Sequence, residues 1–193
     1  QSIPVVLVNN YLDMDGLVCI SADHYGGAVQ ATEYLCKLGH CKIGLLSGRF
    51  SPQVSEARIE GFVKTLAKYD IPVDDRFIAD IEPALEDGEE IMTRMLRGVD
   101  RPTAFFCTND TIAAGAMKAV TRAGLRVPED IAIIGFDDSY ISRVVEPELT
   151  TVRIDAAKMG CLAMQTLFDL IAGMPVEKAH IQIPTELIVR GTA

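Results

Sequence analysis

Two adjacent acidic residues, Asp137 and Asp138, directly follow the apolar run 131–136 and are candidates for a functional site. Two carboxylates at the end of a buried strand could act as a general acid and base, hold a metal, bind ligand hydroxyls, or merely begin a loop. Neighbouring residues of a strand point to opposite faces, so both acids cannot face one reacting bond. This geometry disfavours a glycosidase, whose carboxyls lie about 5 to 9 Å apart across a single site.

Polar residues also follow the other apolar runs that the sequence predicts to be parallel strands. Ligands of open parallel sheets bind beyond the carboxyl ends of the strands, so these positions are candidate ligand contacts. Arg58 stands in the first turn of a predicted helix, where a cation is disfavoured unless a ligand or an acid holds it. An exposed Arg58 paired with Glu56 or with water explains its position equally well. Asn109 directly precedes another helix and could cap it, contact a ligand, or do both.

An arginine, an asparagine and an aspartate at three strand ends favour binding over catalysis. An ionised Asp accepts hydrogen bonds from two hydroxyls, Arg donates in a fork, and Asn does both, which suits the vicinal hydroxyls of a sugar. The sequence contains no G-x-S-x-G, P-loop or G-x-G-x-x-G motif. His24 and His180 are solitary, so no residue set has the spacing of metal ligands. We therefore predict no enzyme activity, no metal and no cofactor.

The composition narrows the class of protein. The 193 residues are 49% hydrophobic, which is ample for a core, and carry a formal net charge of −9, which leaves no basic field for DNA phosphates. The sequence shows no membrane-spanning run and no signal-peptide pattern at its start. Four of the five cysteines lie in apolar strand or helix patterns, and none has disulfide or zinc spacing. These features favour buried thiols in a reducing cytoplasm.

The sequence from residue 41 onward alternates short apolar strands with amphipathic helices, as βαβ units with parallel strands require. The predicted strands cover residues 42–46, 77–81, 104–107 and 131–136. Because these strands are apolar on both faces, we expect an α/β fold with helices on each side of the sheet. Ser55 is the predicted N-cap of the first intervening helix, while Gly124 and Gly173 end later helices.

The beginning of the chain does not fit that single sheet. Two strands around a polar turn, "IPVVLV" and "LVCIS", precede a helix that ends at Gly39, and together they are too small to bury their own faces. A helix predicted over about 156–172 could return to cover them. We therefore expect two lobes joined by several chain crossings. The predicted partial N-lobe is 1–40 plus 153–176, the C-lobe is 41–152 plus 177–193, and residues upstream of Gln1 are expected to complete the N-lobe.

Six linked segments occur in order over nearly the whole chain. They are "LGHCKIGLLSG", "ARIEGF", "RPTAFFCTND", "AAGAMKAVTRAGLRVPEDIAIIGFDDS", "EPELTTV" and "LIVRGTA". Together they resemble the effector-binding core of the lactose-repressor and galactose-repressor family of bacterial transcription regulators. The resemblance implies an α/β fold similar to periplasmic sugar-binding proteins, with two Rossmann-like lobes of parallel sheets, three crossings and a ligand in the cleft.

The resemblance also implies effector-binding residues. Carried over by position, Arg58, Asn109 and Asp137 match the family's effector contacts, whereas Asp138 matches a position that is more often structural. An effector bound by these residues would be a small polar molecule such as a sugar or a sugar derivative.

Three further positions are expected at the effector site through the resemblance. Asp23 and Tyr25 of the segment "SADHYGG" are expected near the cleft, and Ile81 stands where relatives can present a stacking aromatic ring. The chain has no Trp, so a stacking ring would have to come from Phe50, Tyr140 or an upstream segment.

The resemblance finally implies partners. Such regulators are cytoplasmic homodimers that bind operator DNA through an N-terminal helix-turn-helix, which does not occur within these 193 residues. A periplasmic-type solute-binding protein of the same fold is the alternative. A helix-turn-helix upstream would favour the regulator, whereas a signal peptide would favour solute binding.

Overall fold

The computed structural model describes residues 3–12, 14, 16–98, 100–176 and 178–193. The strands are β1 (Val6–Val8), β2 (Val18–Ala22), β3 (Ile43–Gly48), β4 (Ile78–Ile81), β5 (Ala104–Cys107), β6 (Ala132–Asp137), β7 (Thr150–Arg153), β8 (His180–Ile183) and β9 (Glu186–Ile188). The α-helices are α1 (His24–Lys37), α2 (Pro52–Lys68), α3 (Leu85–Met95), α4 (Asp110–Arg122) and α5 (Ala156–Ile171), with short 3-10 turns at Asp75–Phe77 and Tyr140–Arg143. No helix in these ranges is long and apolar enough to cross a membrane.

The larger sheet has six strands in the order β4-β3-β5-β6-β7-β9. All neighbouring pairs are parallel except β7 and β9, which are antiparallel. Strand β5 has the predicted bounds, and β6 begins and ends one residue later than predicted. The predicted α/β class with a mostly parallel sheet is therefore confirmed.

Helices cover this sheet on two faces because its strands are apolar on both. On one face, residues of α3 and α4 share a buried cluster with strand residues such as Phe105 and Ile133. On the other face, Phe62 of α2 packs against Phe106 of β5, with ring centroids 6.5 Å apart. Phe136 of β6 continues this aromatic layer at 6.3 Å from Phe106, so the layer reaches the carboxyl end of β6.

The smaller sheet has three parallel strands in the order β1-β2-β8. Helix α5 packs on it, as the sequence predicts for the returning helix. Its core contains Ile20 and Ile183 from the strands and Met159 and Ala163 from α5.

The contacts of the chain divide it into two compact units. One comprises Gln1–Asp23 and Ile154–Thr185, and the other His24–Arg153 and Glu186–Ala193. These boundaries differ from the predicted ones at α1 and at residues 177–185. Helix α1 belongs to the larger unit because it packs closely on α2, where a Cβ on Gly61 would lie 2.7 Å from the Tyr25 carbonyl oxygen. Strand β8 belongs to the smaller unit because it pairs with β2.

Two local predictions differ from the structure. Helix α2 begins at Pro52 with Ser51 at the N-cap, not at Ser55, because a proline favours the first helical position, where its missing N–H is not needed. Three of the five cysteines are buried, while Cys41 and Cys161 are exposed, and all five are free thiols. The structure thus buries one cysteine fewer than the four that the sequence places in apolar patterns.

Candidate functional site

Three predicted residues lie at or just after the carboxyl ends of strands of the larger sheet. Arg58 lies in the second turn of α2, which follows β3; Asn109 follows β5; and Asp137 is the last residue of β6. Strands β3, β5 and β6 are consecutive neighbours in the sheet, so their carboxyl ends lie side by side. The βαβ connectivity thus places the three residues at one edge, as open parallel sheets place their ligand contacts.

The guanidinium group of Arg58 is buried between aromatic rings. The residue is only 2% exposed. Its Cζ atom lies 3.9 Å from the centroid of the Phe136 ring and 5.1 Å from that of Phe50. Aromatic faces stabilise a cation that is removed from water, which explains how an arginine can be buried at this position.

Hydrogen bonds fix the direction of the Arg58 guanidinium. Nη1 donates to the carbonyl oxygen of Thr108, and Nη2 lies 3.2 Å from Nδ1 of His24 and donates to Oδ1 of Asp137 at 3.3 Å. Burial lowers the pKa of Arg58 to about 10, although Asp137 opposes this shift. The arginine is therefore charged at neutral pH and holds Asp137 from one side.

Asp137 is the most accessible charged group of this cluster. Its side chain is 38% exposed, compared with 3% for that of Arg58. Burial raises the pKa of Asp137 to about 6, Arg58 opposes the shift, and the buried carboxylate of Asp110 adds to it. At neutral pH the group is mostly ionised, so it offers a carboxylate to hydrogen-bond donors of a ligand.

His24 is part of the cluster and is not the solitary residue that the sequence indicates. Arg58 has only donors, so Nδ1 of His24 must accept and the neutral ring carries its proton on Nε2. Burial and then the charge of Arg58 lower the pKa of His24 to about 3, which keeps the ring neutral. Nε2 is buried and has no hydrogen-bond partner among the described residues. His24 therefore helps to orient Arg58.

Asn109 caps α4, as one of its two predicted roles requires. Its Oδ1 accepts a hydrogen bond from the backbone N–H of Ile112 at 2.8 Å, and its backbone is extended, as N-cap residues usually are. The residue is 7% exposed. Because the cap uses one oxygen, the amide group of the side chain still has two donors for other contacts.

Asp138 has surroundings quite different from those of Asp137. Its side chain is 3% exposed and pairs with Arg190 at 2.5 Å and Arg153 at 2.7 Å. Hydrogen bonds from these guanidinium groups lower the pKa of Asp138 although burial opposes them. The two adjacent acids thus do not face a common space, in agreement with the argument against an acid and base pair.

The other predicted site residues are described by contacts outside this hydrogen-bonded cluster. Asp23 is the last residue of the first segment of the smaller unit, where its backbone N–H donates to Ile183. The Tyr25 ring is 5.8 Å from Nζ of Lys64, and the residue is 38% exposed. Ile81 ends β4 and packs against the α3 and α4 cluster. Ligand contact by Asp23, Tyr25 and Ile81 stays a prediction.

Three contributors to the site have little signal in the sequence. His24 lies 34 residues before Arg58, and only the packing of α1 on α2 brings the two together. In the sequence Phe136 is one apolar residue of a predicted buried strand, and its contact with Arg58 has no local signal. In the sequence, Asp110 is an ordinary acidic residue of a first helical turn. Only 1% of it is exposed in the structure, because β6 and β7 pack over it.

Comparisons with known proteins agree with this architecture. Residues 32–193 match the family model described as a periplasmic binding protein-like domain. The transcriptional repressor PurR of Pasteurella multocida is 36% identical over 191 residues, covering 98% of this chain and 57% of the repressor. The chain therefore spans little more than half the length of that relative.

Two solved structures are similar over almost the whole chain. A regulatory protein of the LacI family from Chloroflexus aggregans has a TM-score of 0.91 and 31% identity, covering 98% of this chain and 68% of that protein. A LacI family transcriptional regulator from Enterococcus faecium, solved with bound ribose, has a TM-score of 0.89 and 27% identity, covering 98% and 70%. The chain belongs to the periplasmic-binding-protein-like domain family, among the core domains of the lactose-repressor and galactose-repressor regulators.

Proposed function

We propose that this chain is the effector-sensing domain of a bacterial DNA-binding transcription regulator and that its ligand is a small polar molecule, a sugar or sugar derivative. The observation that carries the proposal is the ion pair of buried Arg58 with half-exposed Asp137 at the carboxyl end of β6. The pair offers a carboxylate acceptor that Arg58 orients before a ligand arrives. Preorganised polar groups of this kind favour binding because little entropy is lost on association.

The ligand would be bound by Asp137 and Asn109, with Arg58 behind them. Asp137 would accept hydrogen bonds from vicinal hydroxyls, and the carboxamide of Asn109 would donate to a ligand oxygen. Arg58 would act chiefly by holding Asp137, since only 2% of its surface is exposed. The bound ribose in the regulator from Enterococcus faecium supports this class of ligand.

Catalysis is not part of the proposal. An acid and base mechanism on the paired aspartates would need Asp138 at the reacting bond, and Asp138 is enclosed by arginines. The repressor name of the relative supports a regulator over a solute-binding protein for transport. We infer that the protein acts in the cytoplasm and that operator DNA is bound through an N-terminal helix-turn-helix outside these 193 residues.

The regulator would act as a homodimer, as two-fold operators require. We propose a mostly apolar groove of the larger unit as the surface that binds a second copy of this chain. The groove lies between α4 and the turn at Tyr140–Arg143, and Met117, Ile141 and Val144 are among its lining residues. Val144 is 57% exposed, so an apolar side chain of this groove is accessible to a partner.

Thermal denaturation of the intact protein with ribose, glucose and adenosine tests the proposal. All three compounds carry vicinal hydroxyls, and a compound that binds the folded state raises the melting temperature. We expect at least one to do so for the wild type, and not for Arg58→Met, which keeps the aliphatic volume but releases Asp137. Arg126→Met removes an exposed arginine paired with Asp130 and serves as the control. A ligand shift that survives in Arg58→Met would contradict the proposed site.

A further inference from the structure

A turn begins at the last residue of β6. Its first two residues have a positive φ, which residues other than glycine rarely adopt. Asp137 has a φ of 110° and Asp138 a φ of 52°, and neither is glycine. Such residues cost free energy and persist only where surrounding contacts hold them. The strained pair includes the carboxylate of the proposed ligand site, so the contacts that hold the turn also determine where Asp137 points.

The side chain of Asp138 is the main anchor of this turn. Its Oδ1 accepts from Nη2 of Arg190 at 2.5 Å and from the Ser142 hydroxyl at 3.0 Å, and its Oδ2 accepts from Nε of Arg153 at 2.7 Å. A third guanidinium, that of Arg143, lies 3.6 Å away. These partners come from the 3-10 turn, from β7 and from the segment after β9, so one carboxylate joins three parts of the larger unit.

Asp110 provides a second tether for the same turn. Its Oδ2 accepts from the backbone N–H of Ser139 at 2.6 Å, and its Oδ1 accepts from the Thr151 hydroxyl at 2.5 Å. The oxygen of that hydroxyl lies 3.5 Å from the backbone nitrogen of Asp138. Since Asp110 is the first residue of α4, this tether fixes the turn relative to the helix that Asn109 caps.

The side chain of Asp137 is held much less firmly. The hydrogen bond found for it within the described part of the chain is the 3.3 Å contact with Arg58, at the long end of the range for such bonds. A single long contact of a half-exposed side chain is weak compensation for a strained backbone. The burial and the short bonds of Asp138 supply the stronger restraint.

We propose that Asp138 is a positioning residue for effector binding: through Arg190 and Arg153 it holds the strained turn that aims the Asp137 carboxylate at Arg58. The inference rests on the proposed function, because it makes Asp138 a determinant of affinity for a ligand that it does not touch. Only 3% of its side chain is exposed, so direct contact with a ligand is excluded in this arrangement.

A titration that needs no ligand tests this positioning role. The pKa of the Asp137 carboxyl is measured by NMR in the intact protein, where Arg58 and Asp110 are the charged groups that shift it among the described residues. Asp138→Asn keeps the size of the side chain and tolerates a positive φ, so it removes the anchoring charge without adding backbone strain. The wild-type pKa is expected to be about 6, because partial burial and the charge of Asp110 raise it against the opposing charge of Arg58.

Release of the turn in Asp138→Asn would move the Asp137 carboxyl into water and lower its pKa toward the ordinary value. Asp130→Asn removes a carboxylate that also binds an arginine, but on the surface, and should leave the pKa of Asp137 unchanged. A folded Asp138→Asn variant in which Asp137 still titrates near pH 6 would overturn the inference.

The affinity for ribose, glucose or adenosine provides the second measurement. Asp138→Asn should weaken binding about tenfold or more when Asp137 is present. It should have no further effect in a variant whose Asp137 is already alanine, because the effects of two substitutions are not additive when one residue acts through the other. An equal loss in both backgrounds would mean a general structural role and would also overturn the inference. If none of the three compounds binds the wild type, the proposed function fails, while the titration still decides the role of Asp138.

Discussion

Burial shifts the pKa values of Arg58 and Asp137 toward neutrality, so the pH range in which both groups of this ion pair are charged is narrow. Burial lowers the pKa of Arg58 to about 10 and raises that of Asp137 to about 6. The arginine keeps its proton throughout the physiological range. The aspartate, in contrast, begins to take up a proton just below neutral pH and then loses acceptor capacity.

Ligand affinity should therefore fall as the pH is lowered through 6. An ionised Asp137 accepts two hydroxyl donors, whereas the protonated group gives up part of that capacity, so affinity at pH 5 should be about tenfold lower than at pH 7. Isothermal titration calorimetry at both pH values measures the difference. His24, with a pKa of about 3, does not titrate in this window. Asp137→Asn should bind weakly at both pH values, and a pH effect that persists in this variant would contradict the assignment to Asp137.

Individual residues of the site differ in how far the sequence could predict them. Arg58 was assigned to the site through the family motif "ARIEGF". The argument that a cation is unfavourable in a first helical turn does not apply to it, because α2 begins at Pro52 and Arg58 lies in the second turn, where it pairs with Asp137. The bond between His24 and Arg58 could not be predicted, because it depends on which faces of α1 and α2 meet. That choice is made by close packing at Gly61, and no local pattern specifies it.

Helix α4 combines a structural and a proposed ligand-binding function at its first turn. The side-chain oxygen of Asn109 satisfies the N–H of Ile112, which would otherwise lack a partner in the helix. The amide end of the same side chain is the proposed ligand donor. These two functions can be separated by substitution because serine caps a helix about as well as asparagine does.

Asn109→Ala should lower the free energy of unfolding by about 1 kcal/mol through loss of the cap, whereas Asn109→Ser should leave it nearly unchanged. Both variants should weaken binding of the ligand, because both lack the carboxamide. Chemical denaturation and calorimetry on the same samples measure the two effects. Wild-type affinity in Asn109→Ser would show that the cap is the only function of this residue.

The secondary structure elements were predictable where the hydrophobic pattern is unambiguous. The bounds of β5 follow directly from the apolar run 104–107, and Gly124 lies just beyond the end of α4, as expected. The start of α2 was wrong by one turn, since Ser55 matches a cap pattern as well as Ser51 does. The proline at position 52 decides between them, because its fixed φ favours the first helical residue.

At the scale of the molecule, the groove that contains Val144 is the proposed surface for a second copy of the chain. Val144→Glu places a charge in this apolar surface and should shift the intact protein from dimer toward monomer. Analytical ultracentrifugation measures the change. Val189→Glu alters a valine that is similarly exposed, at 52%, and is the control. A dimer that is unaffected by Val144→Glu would place the interface elsewhere.

The division of the chain into units was the least predictable feature of the whole molecule. Hydrophobic periodicity identifies α1 and β8 as elements, but it does not specify their neighbours. Helix α1 packs with α2, and β8 pairs with β2 some 160 residues away in sequence, with Cys19 opposite His180. Long-range pairings of this kind depend on the complete fold.

The most direct test of a ligand site at Asp137 is calorimetric titration of the intact protein with ribose, glucose and adenosine at pH 7.5. Hydrogen bonds to a charged group contribute about 1.5 to 3 kcal/mol, so Asp137→Asn should weaken the binding of the best of these ligands about 10- to 100-fold. Asp130→Asn should bind like the wild type. Equal affinities of the wild type and Asp137→Asn would contradict the proposed site.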